Sequence, residues 1–476
     1  MSIGTNQQPE KKGIAAFRVP HVYVLLFFIL IFVAILTYLI PAGEFVRVKD
    51  AGTGRMIIDP LSYHFVDTGQ PAKFFDLFMA IPRGIAAAVD VMFMVVLCIA
   101  GMEIINRTGA MQSGVTRLMK AMRGKDTALL VIAMIAFGVL GGFVGWAEGI
   151  LMFVPLMTAL CLALGYDAIL AMGITVVTAT AGFTTGPTNI YTQGVAQGLL
   201  KLPLFSAMNF RIVTWVIILI PTMWYMLRYA KKIKKDPTKS AVYGEKLAIS
   251  TVTLDEDSVL TTRHKLVLVT MVVGLFLAVW GCMKWGWYMK EIGAVITASG
   301  VIAGIIAGRK LNDIAEDYAA GAKLIIGAGL TIGMARGVLV IMENAKIIDS
   351  VIFYLASAVQ HLPTALTAVG IYGVQLIISL FIASASGQAV TTIPILGPVA
   401  ELAGSTQQVA VLAFQYGDGF TNMLTPTAAT LWAALAMTGG IPITKYWKFV
   451  WPLMLIWFAF GAIFVTVANF MHLGPF

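Results

Sequence analysis

The stretch AGFTTGPTNIYTQG (residues 181–194) and, further on, YGDGFTNMLTPTAAT (416–430) are rich in Gly, Thr and Asn, and each carries a proline. Long apolar sequence flanks both. Proline and glycine end helices, so each stretch reads as a break in a helix that its surroundings would continue.

Those surroundings set the solvent. Hydrophobic residues make up 59% of the 476 residues and charged residues only 12%, with a mean hydropathy of +0.85. A soluble domain carries about 25% charged residues. Many apolar runs match the ~20 residues that a helix needs to cross a hydrocarbon core. No strand-like alternation is present, which excludes a membrane β-barrel. The run VYVLLFFILIFVAILTYLI (22–40) is too long for a signal-peptide core and reads as an uncleaved first helix. The net charge of +9 collects in short loops, as membrane topology requires, and does not indicate nucleic acid. Cys98, Cys161 and Cys282 stand singly, without metal-ligand or disulfide spacing, and read as small core residues.

The two polar stretches are equivalent positions of an internal repeat. Shifted by 239 residues, Pro155, Pro187 and Pro203 fall on Pro394, Pro426 and Pro442, while Gly165, Thr188 and Phe210 fall on Gly404, Thr427 and Phe449. Upstream the shift is 237: Asp76, Gly84 and Ser113 meet Asp313, Gly321 and Ser350, and Thr127-Ala128-Leu129 meets Thr364-Ala365-Leu366. Shared apolar composition does not align prolines.

Lys and Arg orient the chain. The cluster RYAKKIKKDPTKSAVYGEK (228–246) places the central linker in the cytoplasm, together with the N-terminus. The expected organisation is a cytoplasmic N-terminus (1–19), a first half (20–229), a cytoplasmic linker (230–262) and a second half (263–476), with the C-terminus outside. Helices are expected at 20–41, 83–105, 210–229, 264–284, 291–308, 322–343 and 449–470. A basic amphipathic segment is expected at 106–125. Hairpins at 127–165 and 364–403 and broken helices at 168–198 and 406–437 complete an all-α, inverted-repeat transporter with about nine spanning helices. Full crossings by the hairpins give the same charge parity; polar, Gly-rich tips favour re-entrance, since such backbone at depth is tolerated only along a cavity.

An unwound backbone in lipid leaves polar groups unpaired, at several kcal/mol each. Half-helix N-termini suit carboxylates, and carbonyls with hydroxyl and amide oxygens suit a dehydrated cation such as Na⁺. Thr184, Thr185, Thr188 and Asn189 offer such groups in the first half, and Thr421, Asn422, Thr425 and Thr427 in the second. A proline kink satisfied by its neighbours is the bland alternative; two repeat-related kinks, each with several polar side chains, point instead to a binding site.

The hairpin tips add GGFVGWAEG (141–149), with Glu148, and ASASGQAV (383–390), with Ser384, Ser386 and Gln388. Glu148 and Asp418 are carboxylates expected at depth, where ionisable groups are functional by default; Glu148 reaches water instead if its hairpin spans. Arg336 is the one cation that this path places within a span, either paired with an acid or gripping a substrate carboxylate. Solute binding is thus expected at Glu148, Thr185, Thr188, Asn189, Arg336, Ser384, Ser386, Gln388, Asp418, Asn422 and Thr425. A coupling Na⁺ or H⁺ is expected at Asp418, Asn189, Asn422 and Thr427, with no other metal and no cofactor.

The segments GWAEG, PTNIYTQGVAQGLLKLPLFS, SASGQAVTTIPILGP and FQYGDGFTNMLTPT resemble the signatures of the C4-dicarboxylate anaerobic carrier family, in its YfcC-like branch, from the first helix to the last. The resemblance implies the ion transporter superfamily: inverted-repeat carriers of the bacterial inner membrane, often homodimeric, many moving as an elevator. Members carry C4-dicarboxylates or exchange arginine for ornithine. The YfcC-like branch shows paired acids, MAEE, at the first tip; here Gly149 follows Glu148, which counts against a dibasic substrate if the pair reads a basic group.

The expected activity is secondary active transport of a small carboxylate-bearing metabolite, an amino acid or a C4-dicarboxylate, with a short-chain organic acid as the alternative. No GxxxxGK[ST] motif is present, so a gradient is the driving force. A channel lacks a ring-forming charge pattern. An intramembrane aspartyl protease is faintly echoed by GYD (165–167) and YGDG (416–419), but Gln415 stands where that motif needs glycine, and no HExxH or GxSxG exists.

Overall fold

The computed structural model describes residues 22–49, 56–111, 113–114, 117, 125–146, 149–248, 260–285, 287, 289–323 and 326–474. The first half comprises α1 (Val22–Leu39), α2 (Phe74–Ala87), α3 (Val89–Arg107), α4 (Asp126–Val144), α5 (Gly149–Ala163), α6 (Ala168–Thr185), α7 (residues 190–199) and α8 (Met208–Lys235). After the linker come α9 (Thr262–Trp285), α10 (Met289–Ile306), α11 (Leu311–Lys323), α12 (Ile326–Asn344), α13 (Ile348–Gln360), α14 (Thr364–Ser379), α15 (Ala385–Leu402), α16 (Gln407–Thr421), α17 (Ala429–Met437) and α18 (Ile443–Phe470).

Element starts keep the two sequence registers. α2 and α11, and α3 and α12, begin 237 residues apart; α6 and α16, and α7 and α17, begin 239 apart. The cause is local chemistry repeated. Asp167 accepts a hydrogen bond from Leu170 N at 2.9 Å, and its repeat mate Thr406 accepts one from Val409 N at 3.2 Å, so each N-caps a broken helix. Gly165 (φ +76°) and Gly404 (φ +79°) close the preceding return arms in the left-handed conformation that glycine adopts freely. Packing is reciprocal as well. α2 lies on α12, where Gly84 leaves room for Gly333 O, and α11 lies on α3, where Gly321 leaves room for Ala100 Cα.

The structure corrects several boundaries. The expected helix 83–105 begins at Phe74 and bends by 61° between α2 and α3. Residues 322–343 are likewise preceded by α11. Two short antiparallel ribbons, Gly43–Glu44 with His64–Phe65 and Arg47–Lys49 with Met56–Ile58, follow α1 where no strand was expected; strands this short leave no readable alternation. Among the described residues five helices are long and apolar enough to cross a membrane, or six if α2–α3 counts as one span. Half of segment 106–125 lies outside the described residues.

α6 and α16 form the centre. All of α6 is buried, as is α16 from Gln408 to Thr421. They cross where Gly419 has no side chain: a Cβ there would stand 2.1 Å from Thr184 Oγ1.

Candidate functional site

The first break falls at residues 186–189, between α6 and α7. Thr184 and Thr185 donate to Thr180 O and Ala181 O, both at 2.8 Å, so these hydroxyls bond back along their own helix. Asn189 staples the break. Its Oδ1 accepts from Tyr191 N (2.9 Å) and Thr192 N (3.3 Å), capping α7, while its Nδ2 donates to Phe183 O (2.9 Å) at the end of α6. The amide thus serves orphan groups of two half-helices at once.

The tip of the first hairpin closes on this break. Thr188 Oγ1 donates to Phe143 O at 2.9 Å. Below the tip, α4 and α6 meet backbone to backbone. A Cβ on Gly141 would lie 2.0 Å from Ala179 O, on Gly182 2.2 Å from Gly138 O, and on Gly186 2.2 Å from Gly142 O. Small residues permit this approach, as in close-packed membrane helices.

The second break, 422–428, repeats the junction. Thr427 Oγ1 donates to Leu380 O at 2.7 Å. Thr427 is the repeat mate of Thr188, and Leu380, like Phe143, ends the arm that leads into its hairpin tip, so an equivalent hydrogen bond occurs in each half. Thr425 reinforces it, lying 2.8 Å from Thr427 Oγ1 and 3.3 Å from Leu380 O. The rest of the second break differs from the first. Asp418 is fully buried on α16; Asn422 Nδ2 donates to its Oδ1 at 3.4 Å, and Ser379 Oγ donates to its backbone carbonyl at 3.3 Å. Asn422 Oδ1 has no hydrogen-bond partner among the described residues.

A residue that sequence reading missed joins the two helices. Arg211, in the first turn of α8, is fully buried. Its Nη1 donates to Gln415 Oε1, and Gln415 Nε2 donates to Gly186 O at 3.1 Å, a carbonyl freed by the first break. Arg336 is therefore not the one cation within the protein interior. The only sequence sign was an arginine just inside a helix start, which looks like a surface residue.

At the second tip Gln388 turns into its own hairpin, donating to Gln375 O (3.0 Å) and Gln375 Oε1 (2.7 Å) beside Thr392. Ser386 is exposed. Ser384 shares an open cavity of about 320 Å³ with Arg336, walled further by Glu343, Gly387 and Thr391. The structure thus brings Arg336 and Ser384 together. Thr185, Thr188, Asn189, Gln388, Asp418, Asn422, Thr425 and Thr427 do not line this cavity. Glu148 lies outside the described residues. Asp167, half of the protease-like echo, holds α6 and the linker together, accepting from Tyr229 (2.5 Å) and Ser240 (2.6 Å) besides its cap.

The model of the C4-dicarboxylate anaerobic carrier family matches residues 19–470. The chain belongs to this family. It is 28% identical to an Escherichia coli K12 protein named "Putative basic amino acid antiporter YfcC", covering 92% of this chain and 93% of that one. It is 29% identical to an uncharacterized Haemophilus influenzae protein, over 82% of this chain and 78% of the other. Among solved structures, the YdaH transporter of Alcanivorax borkumensis aligns over 96% of this chain and 100% of its own at a TM-score of 0.43 and 14% identity. The chain is a membrane transporter by family.

Proposed function

We propose that this transporter is a secondary active carrier of a small carboxylate-bearing metabolite, an amino acid before a C4-dicarboxylate, working by alternating access. The observation that carries this reading is the doubled threonine-to-tip hydrogen bond, Thr188 to Phe143 O and Thr427 to Leu380 O. Equivalent junctions in two halves are what a carrier needs if it is to present one site to either side of the membrane. The family description names C4-dicarboxylates and the E. coli relative's name points to basic amino acids; both classes bear a carboxylate.

A coupling cation, Na⁺ or H⁺, is assigned to the second break. Asp418 supplies a buried carboxylate and Asn422 Oδ1 an uncommitted oxygen, whereas Asn189 Oδ1 already holds two amide N–H groups. The bundle sits as a homodimer in a bacterial inner membrane, with the basic linker and N-terminus in the cytoplasm. The ribbons and the Arg336 cavity then face outward.

The test is reconstitution in liposomes with arginine, ornithine, neutral amino acids, succinate and lactate, under Na⁺ or pH gradients imposed separately. Saturable uptake with counterflow is expected. Asp418→Asn is expected to abolish gradient-driven uptake while the purified protein stays monodisperse. Non-saturating flux would indicate a channel, and wild-type rates in Asp418→Asn would remove that carboxylate from coupling.

A further inference from the structure

The cavity between α12 and the second hairpin tip holds charges that the protein leaves open. Six charged side chains line it: Arg47, Arg336 and Lys346 against Glu44, Glu343 and Asp349. Four are engaged with each other, Arg47 with Asp349 at 3.1 Å and Lys346 with Glu44 at 3.0 Å. Arg336 and Glu343 have no ion pair among the described residues, although both face the same space. They stand seven residues apart on α12. Seven residues is nearly two helical turns, so the two share a face at a rise of about 10.5 Å. Their charges act on each other across the cavity without meeting in a direct ion pair, which leaves room for something placed between them.

We infer that this cavity is a binding site for a dipolar solute, a carboxylate at one end and a cationic group at the other, gripped by Arg336 and Glu343. The inference rests on the carrier reading above and names the substrate class of that carrier. Arg336 offers a planar fork that fits a carboxylate. Ser384 lines the cavity from the hairpin side, and Gly387 sits in the first turn of α15, whose leading amides favour an anion. Glu343, exposed to the cavity, meets the cationic end. A volume of about 320 Å³ lies within the range of small-molecule pockets, roughly 300–1,000 Å³. A dicarboxylate would place its second anion against Glu343, and a solute with adjacent charges would satisfy only one end.

The site also has one wall on α12 and the other on the hairpin. Displacement of the hairpin along α12 would part Ser384 and Gly387 from Arg336, so occupancy of the site is tied to the position of the hairpin.

The experiment measures uptake by full-length protein in liposomes, with wild type, Arg336→Gln, Arg336→Lys and Glu343→Gln. Four solutes are compared: arginine, agmatine (cation without carboxylate), norvaline (no side-chain cation) and succinate. Wild type is expected to take up arginine best. Arg336→Gln should raise the KM for arginine and norvaline about 10- to 100-fold, the effect of losing a hydrogen bond to a charged group, and should not raise that for agmatine, whose ammonium takes the place of the carboxylate. Arg336→Lys should recover part of the loss. Glu343→Gln should raise the KM for arginine and agmatine and spare norvaline. A common loss for all solutes, or no change in any KM, overturns the site. Wild-type preference for succinate overturns the dipolar class while leaving the carrier reading standing, and failure of wild type to transport anything refutes that reading itself. Each variant is checked for monodispersity and thermal unfolding, and arginine binding to purified protein by calorimetry reads the site independently of turnover.

Discussion

The two asparagines at the breaks should behave as opposites when truncated. Asn189→Ala removes the cap of α7, a loss of about 1 kcal/mol. It also takes the amide donor from Phe183 O, whose remaining donor is Gln415 Nε2 at 3.5 Å. A buried acceptor left so weakly served costs a further 1–3 kcal/mol or so, giving a total of about 2–4 kcal/mol. Among the described residues, Asn422→Ala loses one bond of 3.4 Å to Asp418, and its Oδ1 has no partner there to lose. About 1 kcal/mol or less is expected. Thermal unfolding of the purified protein should therefore show a clear drop for Asn189→Ala and a near-native midpoint for Asn422→Ala. Asn189→Ser, which keeps an acceptor at the cap, should fall between wild type and Asn189→Ala. Gradient-driven uptake should run the other way, with Asn422→Ala losing at least about tenfold, the equivalent of 1.4 kcal/mol of cation binding. Equal destabilisation by both alanines, or a wild-type midpoint for Asn189→Ala, would refute the assignment of one asparagine to the scaffold and the other to the cation.

Two further outcomes follow from the geometry. Gly182→Ala sets a methyl 2.2 Å from Gly138 O, and the overpacking should lower stability by about 1–3 kcal/mol or more, read as a fall in unfolding temperature and in yield of monodisperse protein. Gln415→Leu leaves the buried Arg211 guanidinium without its acceptor, which should cost about 1.5–3 kcal/mol; adding Arg211→Met should restore most of that, and a double variant weaker than the single would contradict the charge argument.

Most of the framework was legible because helix breakers are loud in apolar sequence. Pro187 and Pro426, with threonines around them, mark the breaks, and the prolines shared between the halves mark the repeat. What stayed hidden depends on long-range packing. Arg211 stands three residues into its helix, after a polar loop, and only the third dimension buries it against α16. Glu343 and Ser384 lie 41 residues apart in sequence, and no pattern in either segment announces that they line one cavity. Asn189 and Asn422 look alike on paper. Their difference lies in which backbone N–H groups the fold brings to each carbonyl.

The seam of glycines between α4 and α6 has a mechanical consequence. With carbonyls a methyl's width from the opposing backbone, neither helix can roll or slip against the other without breaking several close contacts at once. Gly417 makes a similar approach to Gln375 and Leu376 in the second half. Each descending arm is therefore welded to its partner rod, and neither tip is free to swing like a door. If cargo is to change sides, the welded pieces must travel as one slab past their surroundings, and the lubricated surface has to lie somewhere other than at the glycines.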